Sequence, residues 1–187
     1  MRRILITLGL LATGLTAFGQ ADIARQYFGK GYYMIDQRNY PIAIESFLKA
    51  IEIDSTGDCG TGMKGKAHGE LAYAYLRNGD TTKAATYFDK SIALDPTNPF
   101  PVQNKAVMLS MQKKNDEAYK LLDKLIQLKP NFIDAYVQRG FLYNADKKPD
   151  LAAADFKKAL ELNDKEKVLP QNLIDDLIKI IKTKKGK

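Results

Sequence analysis

Reactive side chains are few in this chain of 187 residues, and they do not cluster. His68 is its only histidine and Cys59 its only cysteine. A metal centre needs several His, Cys or carboxylate ligands that converge, and a nucleophile needs a base within hydrogen-bond reach. One histidine without a nearby cysteine or paired carboxylates makes neither. His68 is therefore expected to pack as a partly buried aromatic. Cys59 is expected to be a free thiol in a loop, with cross-linking to a second molecule as the alternative. The segment Gly60 to Ala67, GTGMKGKA, comes nearest to a chemical motif, since its glycines and Lys66 approximate a phosphate-binding loop. Ala67 stands where a hydroxyl would hold magnesium, and no apolar strand precedes the glycines. That disfavours nucleotide hydrolysis and leaves weak anion capture at the next helix amino terminus as the lesser reading. No catalytic residue, cofactor or metal ligand is assigned.

The elements that must position any other site repeat along the chain. From Gly65 to Asn98, LAYAYL (Leu71 to Leu76) gives one apolar helical face. Asn78-Gly79-Asp80 breaks it, and KAATYFDKSIAL (Lys83 to Leu94) gives a second before Asp95-Pro96. Ala84, Ala118 and Ala152 stand 34 residues apart, and Ala43 precedes Ala84 by 34 plus a seven-residue insertion. Four positions after each alanine come Phe47, Phe88, Leu122 and Phe156, and twelve before come Gly31, Ala72, Ala106 and Gly140. A small residue on one helix lets a second axis approach, and the large residue opposite fills the space beside it.

This pattern resembles the tetratricopeptide repeat family, whose unit is a helical hairpin of about 34 residues. The resemblance covers residues 24–57, 65–98, 99–132 and 133–166, with His68 and Val102 where Tyr27 and Tyr136 carry the family's early aromatic. It implies an all-α fold: an α-solenoid, wound as a right-handed superhelix of four hairpins with a concave face. The stretch VLPQNLIDDLIKIIKTKKGK places Leu169, Leu173, Leu177 and Ile181 on one stripe, joined by Ile174 and Ile178. It is read as a capping helix over 168–182 followed by a basic tail, 183–187, with membrane-surface binding as the sharper alternative.

Residues 1–19 carry two arginines and then an apolar run from Ile4 to Phe18. That is a secretory signal pattern, shorter than the ~20 residues of a membrane span. Cleavage is expected before Gln20, leaving residues 20–187 as an exported domain, periplasmic or secreted, with a retained anchor or a buried amino-terminal helix as the alternatives. The formal charge of +7 then falls to +5, which the lysines at 179, 182, 184, 185 and 187 account for. The repeat body is near neutral, without the basic stripe that nucleic-acid binding requires.

In such a stack the first helix of each hairpin lines the groove. One position past the small residue come Tyr32, Tyr73, Val107 and Phe141, with Phe28, Arg77, Phe100, Gln103, Asn104 and Gln138 nearby by helical spacing. Rings, amides and a guanidinium suit an extended peptide or a partner helix. Family members that bind chaperone tails use a clamp of lysine, asparagine and arginine, and only Asn104 fits that pattern, since Phe28, Tyr32, Glu70 and Phe100 hold the other places. The expectation is a non-enzymatic envelope scaffold that binds a protein segment. The alternative is an envelope accessory domain that binds glycan or anionic lipid through the groove aromatics and the lysine tail.

Overall fold

The computed structural model describes residues 2–54 and 63–183, with residues 2–18 represented by their helical backbone alone. Cys59, Gly60, Gly62, Lys184, Lys185 and Lys187 lie outside the described residues. Among the described residues all regular structure is helical. The helices α1 (Arg2–Asp36) and α2 (Tyr40–Ile53), α3 (Met63–Arg77) and α4 (Thr81–Leu94), α5 (Pro99–Met111) and α6 (Asn115–Leu128), and α7 (Ile133–Ala145) and α8 (Pro149–Glu166) are successive hairpins, and α9 (Gln171–Thr183) follows alone. By internal packing they form two compact units, Met1–Pro101 and Val102–Lys187.

Every hairpin turns in the same way. Arg38, Gly79, Lys113 and Lys147 all have positive φ, between 54° and 91° with the linker residue Lys167 included in that range. Each donates its N–H three residues back, to Ile35, Leu76, Ser110 and Asn144, while the next residue donates five back, to Met34, Tyr75, Leu109 and Tyr143. This paired bonding is the Schellman closure of a helix end. The second helices then start on side-chain caps where the sequence supplies them: Asn39 accepts from the Ile42 N–H and Asp80 from the Lys83 N–H. Asn98 does the same for α5 by accepting from the Phe100 N–H at 3.1 Å.

Small-to-large pairing sets how closely the helices of a hairpin approach. A Cβ added at Gly31 would stand 2.7 Å from the Phe47 ring, and one at Gly140 2.5 Å from the Phe156 ring. Both phenylalanines are fully buried. The equivalent positions in the other hairpins hold Ala72 with Phe88 and Ala106 with Leu122, all buried. Volume is thus traded across the contact. His68 is buried as well; its Nδ1 donates to the Lys64 carbonyl at 2.7 Å, and burial lowers its pKa.

Two boundaries differ from the sequence expectation. α1 begins well before residue 24, and both Ala21 and Ala24 are buried, with Ile53 and Met63 packed against them. The helix therefore runs unbroken through the expected cleavage point. α9 starts at Gln171 and not at 168, because α8 ends on Lys167 in the left-handed region and Leu169 precedes a proline. The side chain of Asn163 accepts the Leu169 N–H at 2.8 Å. Leu177 is nevertheless fully buried, and Leu169, Leu173, Ile180 and Ile181 close over the core around Phe156. Among the described residues no helix is long and apolar enough to cross a membrane.

Candidate functional site

In the first unit the groove residues gather around α3. Glu70, Tyr73 and Arg77 stand at i, i+3 and i+7, so they share one face. The Tyr32 hydroxyl, from α1, donates to Glu70 Oε1 at 2.9 Å. Arg77 donates to the Tyr73 hydroxyl at 3.0 Å and lies over the rings of Tyr40 and Tyr73. Phe100 packs against Tyr73 at 5.9 Å between ring centroids. Tyr32 is 46% exposed. Phe28 is half-buried and meets the core ring of Phe47 edge-on at 5.6 Å, so part of it completes the core.

Glu70 is 8% exposed, and burial raises its pKa against the smaller lowering effect of the Tyr32 hydrogen bond. The Tyr32 phenol is itself pushed up to about 12, by burial first and then by the adjoining Glu70 carboxylate. A carboxyl whose folded pKa lies above its unfolded value binds more protons in the native state. Its favourable contribution is complete below the unfolded pKa and is lost as the pH rises through the folded one. Glu70→Gln, which keeps an acceptor for Tyr32, is therefore expected to raise the melting temperature at pH 7. The gain should vanish below the usual carboxylate range. Circular-dichroism melts of both proteins across that range check this, and a gain that is constant with pH would contradict it.

In the second unit Ala106, Val107, Ser110 and Met111 of α5 face Gln138, Phe141, Leu142 and Ala145 of α7 across an apolar cleft of about 250 Å³ floored by Leu122. Val107, Phe141 and Met111 are exposed at 45%, 40% and 78%. Gln138 Nε2 donates to the Gln103 carbonyl at 2.9 Å, while Gln138 Oε1 is buried without a donor among the described residues. Phe141 also packs edge-on against Phe156 at 5.1 Å, which holds its ring in place, and it borders a second depression with Asp176, Lys179, Ile180 and Thr183. Asn104 is half-buried.

Tyr40, Ser110 and Met111 belong to these faces but were not assigned from sequence, and Glu70, which holds one of the clamp places, was not counted among the binding residues. Helical spacing from Tyr73 and Val107 reaches Glu70 and Met111, whereas Tyr40 lies on a different helix and has no sequence signal. Arg139 is a further half-buried group of α7. It holds Asp155 of α8 through Nε and Nη2, at 2.8 and 2.6 Å, and Asp123 of α6 through Nη1. Among the described residues no group of three or more His, Cys, Asp or Glu side chains is placed to hold a metal.

Comparison with known proteins gives two matches to models of the tetratricopeptide repeat, at residues 65–98 and 133–166. The human DnaJ homolog subfamily C member 3 is 34% identical over 109 residues, which is 58% of this chain and 22% of that protein. The chain thus spans about a fifth of the length of these curated relatives. A UDP-N-acetylglucosamine–peptide N-acetylglucosaminyltransferase of Giardia intestinalis is 30% identical over 93 residues, which is 50% of this chain and 6% of that enzyme. Among solved structures, MamA superposes with a TM-score of 0.66 at 25% identity, covering 78% of this chain and 81% of the other. Helical repeats of this type are a scaffold fold, typically non-catalytic, whose common use is protein–protein interaction.

Proposed function

We propose that this chain, a tetratricopeptide-repeat protein, binds a segment of a partner protein on the exposed faces of its first helices and performs no chemistry of its own. The carrying observation is the cleft of the second unit. Val107 and Phe141 occupy equivalent repeat positions, line the cleft and remain 45% and 40% exposed. Exposed apolar area around a cleft suits a peptide whose side chain fills it. In the first unit Tyr32, Tyr73 and Phe100 supply rings, and Arg77 supplies a carboxylate donor. The apolar run of residues 4–18 after two arginines supports an envelope location for that partner.

The test is recovery of a specific partner from envelope extract by the exported protein, whose mature mass is expected to begin at Gln20. The variant Tyr32→Ala/Tyr73→Ala/Phe141→Ala, once shown to keep its helicity, is expected to lose at least about tenfold in affinity, as expected when several aromatic anchors are removed together. Undiminished recovery by that variant would rule out the assigned faces.

A further inference from the structure

We infer that the α3 face of the first unit selects a segment with a basic side chain, seated at Glu70, and an acidic one about 10 Å further along, seated at Arg77. This deepens the proposed function and rests on it. The separation follows from the helix itself, since seven residues at ~1.5 Å each span about 10 Å on one face.

Glu70 is the anchor. It is 8% exposed, its hydrogen bond comes from a neutral phenol, and no cation forms an ion pair with it among the described residues. A carboxylate so placed is desolvated without electrostatic compensation, and an ammonium or guanidinium brought by a guest supplies that compensation. Tyr32, whose hydroxyl meets the carboxylate in a part-buried hydrogen bond, is 46% exposed, so a guest reaches Glu70 past the edge of an exposed residue.

Arg77 is the counterpart. It is exposed, and it is steadied by the rings of Tyr40 and Tyr73 at 5.6 and 5.7 Å and by the Tyr73 hydroxyl. It makes no ion pair among the described residues, so its remaining N–H groups are available to a carboxylate in fork geometry. Between the two charges Tyr73 and Phe100 present aromatic surface. A guest in the polyproline II conformation rises about 3.1 Å per residue and repeats every third residue, so side chains three apart share one face at about the separation of the two charges. Opposite charges at the two ends fix the guest's register and direction together.

The experiment selects a displayed random-peptide library on the full chain, then measures the enriched peptides by fluorescence anisotropy. The expected result is enrichment of a basic and an acidic residue three apart. Glu70→Gln should weaken those peptides about tenfold, the scale of one charge-assisted contact, and neutralising the peptide's basic residue should then cost nothing more. Arg77→Gln should behave likewise toward the acidic residue. Gln at position 70 keeps the acceptor for Tyr32, so a merely structural role for Glu70 would leave affinity unchanged. Enriched peptides that lose binding on Tyr73→Ala but show neither the charge pair nor sensitivity to Glu70→Gln overturn the inference and leave the groove reading intact. Failure to find any peptide sensitive to Tyr73→Ala overturns both.

Discussion

Phe156→Ala is expected to lower the unfolding free energy by about 3–5 kcal/mol, the range for truncating a buried aromatic. The ring is fully buried among Ile133, Tyr136, Val137, Ala152, Ala159, Leu162 and Leu177, which come from three helices of the second unit, so no one neighbour can relax into the space. The same contact makes a sharper prediction from its small side. Gly140→Ala places a methyl 2.5 Å from that ring and is expected to cost about 1–3 kcal/mol, reduced by the roughly 1 kcal/mol that alanine contributes over glycine inside a helix. Adding Phe156→Leu to Gly140→Ala recreates the Ala106 and Leu122 pair of the preceding hairpin. The double variant should therefore be more stable than the sum of the singles. Urea denaturation of all four proteins measures the coupling, and strict additivity would show that the glycine is not there for the ring.

Arg139→Ala is the second large effect, a loss of about 3 kcal/mol, which is the cost of leaving one member of a buried pair uncompensated. Its guanidinium grips both oxygens of Asp155, whose side chain is 8% exposed, reaches Asp123, and lies over the rings of Tyr136 and Tyr143. Those carboxylates hold Arg139 far above the ordinary guanidinium pKa, so it stays charged throughout the working range. Arg139→Lys should rescue little, since a single ammonium cannot serve three oxygens on two helices. Adding Asp155→Asn to Arg139→Ala should return part of the loss by removing the orphaned charge. If Arg139→Ala melts within a degree of the parent protein, the cluster contributes nothing to the fold.

The hairpins are legible in the amino-acid order because packing forces a rule on it. Gly31 with Phe47 and Gly140 with Phe156 must meet in each copy, so small and large residues recur at fixed separation. The exposure of Tyr32, Val107 and Phe141 follows the same rule, as all three stand one position past the small residue and turn off the buried face. What depends on a second helix was not legible. The burial of Glu70 requires Tyr32 from α1, and the Arg139 cluster requires Asp123 and Asp155 from α6 and α8. Neither leaves a spacing signal within one helix. The early start of α1 was hidden for another reason: its glycines and threonines weaken intrinsic helix propensity, and Ala21 and Ala24 reveal themselves only by what they touch.

The hairpin turns carry a further consequence. Of the four hairpin-turn residues held at positive φ, one is glycine and the other three are Arg38, Lys113 and Lys147. A side chain in that region costs about 1 kcal/mol. Each of these three cations sits just beyond the carboxyl end of α1, α5 or α7, where unpaired carbonyls concentrate partial negative charge, and the attraction returns on the order of half a kcal/mol. At three of its turns the chain thus recovers part of the backbone cost by electrostatic complement to the helix dipole, a cost that a glycine would not have incurred.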